Sequence, residues 1–386
     1  MAPKPASPPI ASTIRHCDCL VVGLGAMGSS ALYHLARRGA DVVGVEQFEP
    51  GHANGSSHGH SRVFRTTYDD PLYVELARES LRMWRELEDE AGVELLELCG
   101  LLIFAGLDND RFTRTLEMLA TAELPHERLD GPDVSTRFPT YRLNSDQHAF
   151  FARENGFLRA DRVLETLRIR AESHGARRRH GCRVESIESL GNGVRVTTSE
   201  ETIDADRVVI TAGAWLDRLA EDLNWQLQVT REEKIYLPVN DPARVVPAAF
   251  PCFCEYDTSN YGFPTLDGRT IKVAADHAGR HVDPDSVDRN IDPAGVRQLY
   301  EWVERWQPGL VGDDGRGEVC LYTNTPDHDF LIGIHPGNER VVLAGGFSGH
   351  GFKFSIQVGD ILADLVLDNH TNRPIERFAV DRFAES

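Results

Sequence analysis

Two sets of residues in this 386-residue chain have the type and spacing to do chemistry. The first is Gly23-Leu-Gly25-Ala26-Met27-Gly28, with Glu46 eighteen residues beyond its last glycine. A G-x-G-x-x-G turn lets the backbone approach a pyrophosphate, and an acid at that distance accepts hydrogen bonds from a ribose 2′-hydroxyl. FAD and NAD both suit such a loop. The second set is the lysines, of which there are only four: Lys4, Lys234, Lys272 and Lys353. Every other basic residue is arginine, so a lysine that persists here points to a use for ammonium chemistry. The seven cysteines include two C-x-C pairs, Cys17/Cys19 and Cys252/Cys254, without zinc-site spacing. The histidines His58, His60, His328, His335 and His350 share no ligand spacing such as H-E-x-x-H. No metal is expected, and a disulfide framework is not expected in a chain of this size.

The glycine loop needs elements to hold it. Cys19-Leu-Val-Val is a short β-branched run, the mark of a buried parallel strand. A helix follows over Ser29–Arg38 with Gly39 at its end, then a strand over Asp41–Val45. Further along, helical spacing marks Tyr73–Leu87, Phe112–Ala122, Ala160–Ser173 and Ser355–Leu367. Strands are expected at Leu101–Ala105, Cys182–Ser186, Val194–Thr198 and from Asp206 toward Gly213. Between Val229 and Val319 the pattern changes to shorter strands with long turns, Arg269–Ala274 among them. The dinucleotide fold is thus expected to be assembled from distant pieces, with a more β-rich domain inserted.

Composition narrows the partners. The formal charge of −19 would repel a phosphate backbone, which excludes nucleic acid, and no apolar run reaches the ~18 residues of a membrane span. The proline-rich first 16 residues lack the apolar stretch of a signal peptide and read as a disordered tail, so the cytoplasm is expected.

Taken together, the motifs resemble the monomeric sarcosine oxidase and N-methyltryptophan oxidase family, within the D-amino-acid-oxidase-like FAD superfamily. The resemblance runs from about residue 17 to 384. It is carried by the Gly23–Gly28 loop with Glu46, Pro50-Gly-His-Ala-Asn-Gly-Ser-Ser57-His58-Gly-His-Ser-Arg62-Val-Phe-Arg65, Thr211-Ala-Gly-Ala-Trp, Tyr261-Gly-Phe-Pro, Lys272, Cys320-Leu-Tyr322-Thr, and Gly346-Phe347-Ser-Gly349-His350-Gly351-Phe-Lys353-Phe. It implies a mixed α/β (α+β) fold with a Rossmann-like FAD-binding domain and an inserted β-rich substrate domain. The expected division is a tail over 1–16, the FAD-binding domain over 17–95, 146–228 and 320–386, and the substrate domain over 96–145 and 229–319.

The resemblance also implies roles. FAD would lie against Gly23, Gly25, Ala26, Met27, Gly28, Glu46, Ser57, His58, Arg62, Gly346, Phe347, Gly349, His350, Gly351 and Lys353, joined covalently through a thioether at Cys320. Arg65 and Lys353 match a clamp for the substrate carboxylate, a bidentate donor joined by a point charge. Tyr261, Tyr322 and His350 would line the substrate pocket. Lys272 matches an oxygen-activating lysine, whose fixed cation stabilises developing superoxide. Arg62 and His58 would act on the flavin ring. One position departs from the family, which has a histidine four residues after this lysine; here Asp276 stands there with His277 beside it. Either the strand slips by one residue or the pocket carries an acid suited to a larger polar or cationic substrate.

The implied activity is oxidation of a secondary amino acid, sarcosine or another N-methyl or cyclic one, with dioxygen reduced to hydrogen peroxide. The implied partners are the amino acid and dioxygen, and the implied state is a monomer. The same residues leave open a flavin-dependent dehydrogenase, an oxidase of sugar-derived adducts, or a flavoprotein without catalysis.

Overall fold

The computed structural model describes residues 14–383. Strand β1 (His16–Val22) runs into the glycine loop, helix α1 (Ala26–Arg37) follows, and β2 (Val42–Val45) returns parallel to β1 with Val22 opposite Val45. Gly23 turns the chain at φ +87°, and its N–H donates to Val45 O at 2.9 Å. A Cβ at Gly28 would lie 1.8 Å from Gly23 O, so only glycine lets α1 pack this close to the turn. Further up the chain, helix Ser355–Leu367 packs on α1 through Gly359, where a Cβ would sit 2.2 Å from Ser30 Oγ.

Eight strands form the first sheet. Its central path runs Val184–Leu190, Gly193–Thr198, Thr202–Ile210, β1, β2, Arg177–Arg179. Thr202–Ile210 changes neighbour along its length. Its first half pairs antiparallel with Gly193–Thr198, and its second half parallel with Asn338–Gly345. The C-terminal part of the chain thereby joins the dinucleotide sheet across more than a hundred residues.

The second sheet has nine strands. Its order is Arg316–Asn324, Gln228–Pro238, Thr270–Ala275, Asn260–Phe263, Cys252–Glu255, Leu101–Gly106, Gln147–Ala152, Glu127–Asp130, with the short Arg280–His281 also pairing on Gln228–Pro238. Ile235, Leu237, Ile271 and Val273 bury one face against Trp302, Val303 and Trp306 of helix Pro293–Trp306. Leucine- and valine-sized side chains buried this way contribute about 1.5–3 kcal/mol each. The opposite face bears Lys272, Lys234, Glu232 and Cys320.

Several expectations need correction. Residues 1–13 of the expected tail lie outside the described residues, but Ile14 is buried and its N–H bonds Glu201 Oε2, while β1 begins at His16. The stretch 229–319 does hold the short strands expected, Cys252–Glu255, Asn260–Phe263 and Arg280–His281 among them, but it opens on a long one: Gln228–Pro238 has 11 residues, the longest strand present among the described residues. Its Arg-Glu-Glu-Lys run hides a strand whose polar side chains are buried. The helix Pro293–Trp306 also went unread, although Asp292 caps it with proline at its first position. Gln147–Ala152, expected in the FAD-binding domain, and Arg316–Asn324, which spans the expected boundary at 320, both pair in the second sheet. No helix among the described residues is long and apolar enough to cross a membrane.

Candidate active site

A cleft of about 800 Å³ opens between the glycine loop and the polar face of the second sheet. At one end stands α1, with Gly25 at its N-cap, no side-chain cap and no acid in its first turn. Ala26 N–H donates to Ser57 Oγ at 3.0 Å. Glu46 is buried and accepts from Leu24 N–H at 2.8 Å and Phe48 N–H at 3.2 Å, which fixes its carboxylate at the cleft wall. A Cβ at Gly25 would approach Ser57 Oγ at 3.1 Å. This is a backbone cradle at a positive helix end, beside a fixed acid. Gly346 and Gly349 turn at φ +58° and +76°, and a Cβ at Gly349 would meet the Tyr322 ring at 2.3 Å.

At the other end the sheet register builds the site. In antiparallel strands, residues directly opposite share a face. Phe263, Lys272 and Tyr236 make one rung; Cys254, Tyr261, Ala274, Lys234 and Glu318 make the next; Glu232 and Cys320 follow. Lys272 Nζ donates to Ser61 O at 2.7 Å and lies 3.9 Å from the Phe263 ring centre. Burial, then the cations Arg62 and Lys234, hold its pKa well below the usual lysine value. Arg62 donates to Ser61 O, Ser56 O and His58 O. The His58 ring has two buried nitrogens with no hydrogen-bond partner, and burial together with Lys234 and Arg62 pushes its pKa down to about 3. The imidazole is therefore neutral at ordinary pH. Cys320 is buried on this face; burial raises its thiol pKa while Arg62, Lys234 and Lys272 oppose the rise.

Arg65 and Lys353 meet across Tyr68. The Arg65 guanidinium lies 3.9 Å from the Tyr68 ring centre and donates to Thr67 O. Lys353 Nζ donates to Tyr68 OH at 2.9 Å and to His350 O at 2.7 Å. Burial, then Arg65, keeps the Lys353 pKa well below its usual value. Two such cations side by side favour an anion between them. The His350 ring bonds His328 O through Nε2 at 3.2 Å.

Over residues 18–365 the chain matches the family described as FAD dependent oxidoreductase. It belongs to that family. It is 36% identical to monomeric sarcosine oxidase of Streptomyces avermitilis, over 95% of this chain and 98% of that one. It is 31% identical to N-methyl-L-tryptophan oxidase of Yersinia pestis, over 95% and 99%. Among solved structures, the open form of NikD, an unusual amino acid oxidase essential for nikkomycin biosynthesis, superposes with a TM-score of 0.85 at 26% identity, covering 95% of this chain and 97% of that one.

The residues present fit the FAD of this family of oxidoreductases. The cradle leaves room that a Cβ would take, and His58, whose two ring nitrogens have no hydrogen-bond partner, lines a cleft that runs from the glycine loop to Lys272. Of the expected site residues, Gly23, Gly25, Ala26, Met27, Glu46, Ser57, His58, Arg62, Arg65, Tyr261, Lys272, Asp276, Cys320, Tyr322, Gly346, Phe347, Gly349, His350, Gly351 and Lys353 all line the cleft. Gly28 does not; it lies beneath the turn, where its missing side chain serves packing. Asp276 borders the cleft and accepts from Tyr322 OH at 3.3 Å, whereas His277, at φ +54°, does not border it. Pairing of Thr270–Ala275 is regular on both sides, so the strand does not slip between Lys272 and Ala275, and Asp276 follows directly at its end. Lys234, Glu318, Tyr68 and Arg111 also line or brace the cleft and were missed. Period-two counting from Thr230 would have put Lys234 inward. Nothing local marks Tyr68.

Proposed function

We propose that this flavoenzyme oxidises a secondary amino acid, N-methyl or cyclic, at its C–N bond and reduces dioxygen to hydrogen peroxide. The carrying observation is the pair of cations, half-buried Arg65 and buried Lys353, set around Tyr68 at the substrate end of a cleft whose other cations surround Cys320. When bound, FAD would supply the two-electron acceptor for the amine and the donor for dioxygen. Arg65 and Lys353 would hold the substrate carboxylate, and that fixes the reacting carbon in orientation. Binding an anion there would restore the charge that burial disfavours on Lys353 Nζ. Asp276, fixed by Tyr322 OH, would face the amine-bearing side and favour a substrate with a larger polar or cationic group. Lys272 Nζ, anchored on Ser61 O, would stabilise negative charge developing on dioxygen. Cys320 Sγ would carry the flavin as a thioether. The name of the Streptomyces relative supports a monomer, and we place the protein in the cytoplasm.

The test is a panel of N-methyl and cyclic amino acids, with decarboxylated analogues, mixed with the holoenzyme without air. At least one amino acid should bleach the flavin while its decarboxylated analogue does not, and air should then yield peroxide. Equal bleaching by the decarboxylated analogue would remove the clamp, and a flavin that stays reduced in air would favour a dehydrogenase. Acid precipitation should leave wild-type protein yellow and Cys320→Ala colourless; flavin freed from wild type would refute the thioether.

A further inference from the structure

Cys99 and Cys252 sit 153 residues apart in sequence, yet their sulfurs are 3.8 Å apart. Both are free thiols, Cys99 half-buried and Cys252 fully buried. The backbone holds them together. Cys252 N–H donates to Gly100 O at 3.0 Å, and Gly100 N–H donates to Asn155 O at 2.8 Å. Gly100 turns at φ +88° beneath the Phe151 ring, which would lie 2.3 Å from a Cβ there. The residue next to Cys99 is thus fixed from both sides.

We propose that Cys99 and Cys252, neither of which lines the cleft itself, form a peroxide-driven dithiol–disulfide pair behind its wall. The two thiols are unequal. The hydrogen bond with Cys252 lowers the Cys99 pKa, while burial raises that of Cys252. Cys99 is therefore the nucleophile and the more accessible sulfur, and Cys252 is the protonated resolving partner. In the first step the Cys99 thiolate attacks one oxygen of hydrogen peroxide. The O–O bond breaks, Cys99 becomes a sulfenic acid, and hydroxide leaves and takes a proton as water. In the second, Cys252 sulfur attacks the Cys99 sulfur, the S–O bond breaks, and the thiol proton leaves with the oxygen as a second water. Two thiols lose two electrons and two protons, and peroxide becomes two waters. Closing 3.8 Å to the ~2.05 Å of a disulfide needs side-chain rotation and a small approach of the loop at Cys99 to the strand Cys252–Glu255.

The location links the pair to the cleft. Cys252 opens the strand that carries Cys254, and Cys99 precedes the strand whose Leu101 and Ile103 line the cleft. Only the source of peroxide rests on the proposed oxidase activity; the chemistry takes any added hydrogen peroxide.

The experiment treats intact holoenzyme with hydrogen peroxide, quenches with acid and an alkylating reagent, and maps the cysteine peptides by mass spectrometry. A second arm replaces added peroxide with amine substrate in air, with and without catalase. The expected result is a Cys99–Cys252 cross-linked peptide lacking two hydrogens, lost on reduction with dithiothreitol and absent from Cys99→Ala and Cys252→Ala. Both thiols alkylated after peroxide, a sulfinic acid at Cys99 with Cys252 alkylated, or Cys99 joined elsewhere would each overturn the proposal. The wild-type map decides even if a variant fails to fold. A cross-link with added peroxide but none during turnover would keep the pair and count against the oxidase reading.

Discussion

Lys272 and Tyr68 show how much one side chain can carry in this cleft. Lys272 Nζ is held by Ser61 O, so under the proposed function its charge would meet a developing anion without reorganising solvent. Lys272→Met should slow aerobic reoxidation by roughly 10²–10³ while anaerobic reduction changes at least tenfold less. Stopped-flow measurement of each half-reaction checks this, and equal slowing would make Lys272 a positioning residue. Tyr68 acts through its neighbours: its ring faces Arg65 and its hydroxyl accepts from Lys353. Tyr68→Leu removes both supports. A cation–π contact is worth about 0.5–2 kcal/mol and a hydrogen bond to a charged group about 1.5–3 kcal/mol. A carboxylate inhibitor should therefore bind at least tenfold more weakly, with flavin content intact, and Tyr68→Phe should fall between. Inhibitor titration of the flavin spectrum gives the order.

At the scale of elements, the two ends of the cleft obey different rules. Along Gln228–Pro238 and Thr270–Ala275 the face alternates, so Lys234 and Lys272 face the cleft while Ile235 and Ile271 pack on the helix below. The turn before α1 works by exclusion of side chains. Gly28→Ala puts a Cβ 1.8 Å from backbone Gly23 O, which cannot swing aside. Its cost should reach or exceed the ~1–3 kcal/mol of ordinary overpacking, seen as a lower melting temperature of the apoprotein. Gly25→Ala meets only Ser57 Oγ at 3.1 Å from a backbone at φ −68°. It should melt near wild type and retain less FAD. Reversal of that order would show that Gly28 is not the packing glycine.

The whole molecule carries a pH dependence outside the cleft, where α1 meets the helix Ser355–Leu367. His34 is buried there with Nδ1 3.1 Å from Asp360 Oδ1, and Asp360 also pairs with Arg38 and Arg373. Burial dominates for His34 and lowers its pKa below 6.5 despite the Asp360 charge. The unfolded chain takes up a proton near pH 6.5 that the folded chain refuses, so stability present above 6.5 is lost as pH falls through the folded pKa. Asp360 is itself held below 3.8, its burial outweighed by His34, Arg373 and Arg38, so a second loss begins as pH falls below 3.8. Melting temperature against pH should show both declines. His34→Gln should flatten the upper one and shrink the lower, which Arg373 and Arg38 still sustain.

From its residues alone, this chain determined the β1–α1–β2 unit, the glycine cradle, Glu46 and the helices Ala160–Ser173 and Ser355–Leu367. These depend on local periodicity and on glycines whose need is set by nearby backbone. Cys320, Arg65, Lys272 and Lys353 were legible through motifs. Tertiary structure alone decided that Lys234 joins them, that Tyr68 lies between Arg65 and Lys353, and that Asp276 rather than His277 borders the cleft. It also decided that Cys99 touches Cys252. The reason is the strand order. Cys252–Glu255 lies parallel to Leu101–Gly106, and Arg316–Asn324 lies beside Gln228–Pro238, pairings across 80 residues or more that no local pattern encodes. Burial of charged side chains on one sheet face further disguised that face as loop, since its polarity serves a cofactor cleft rather than water.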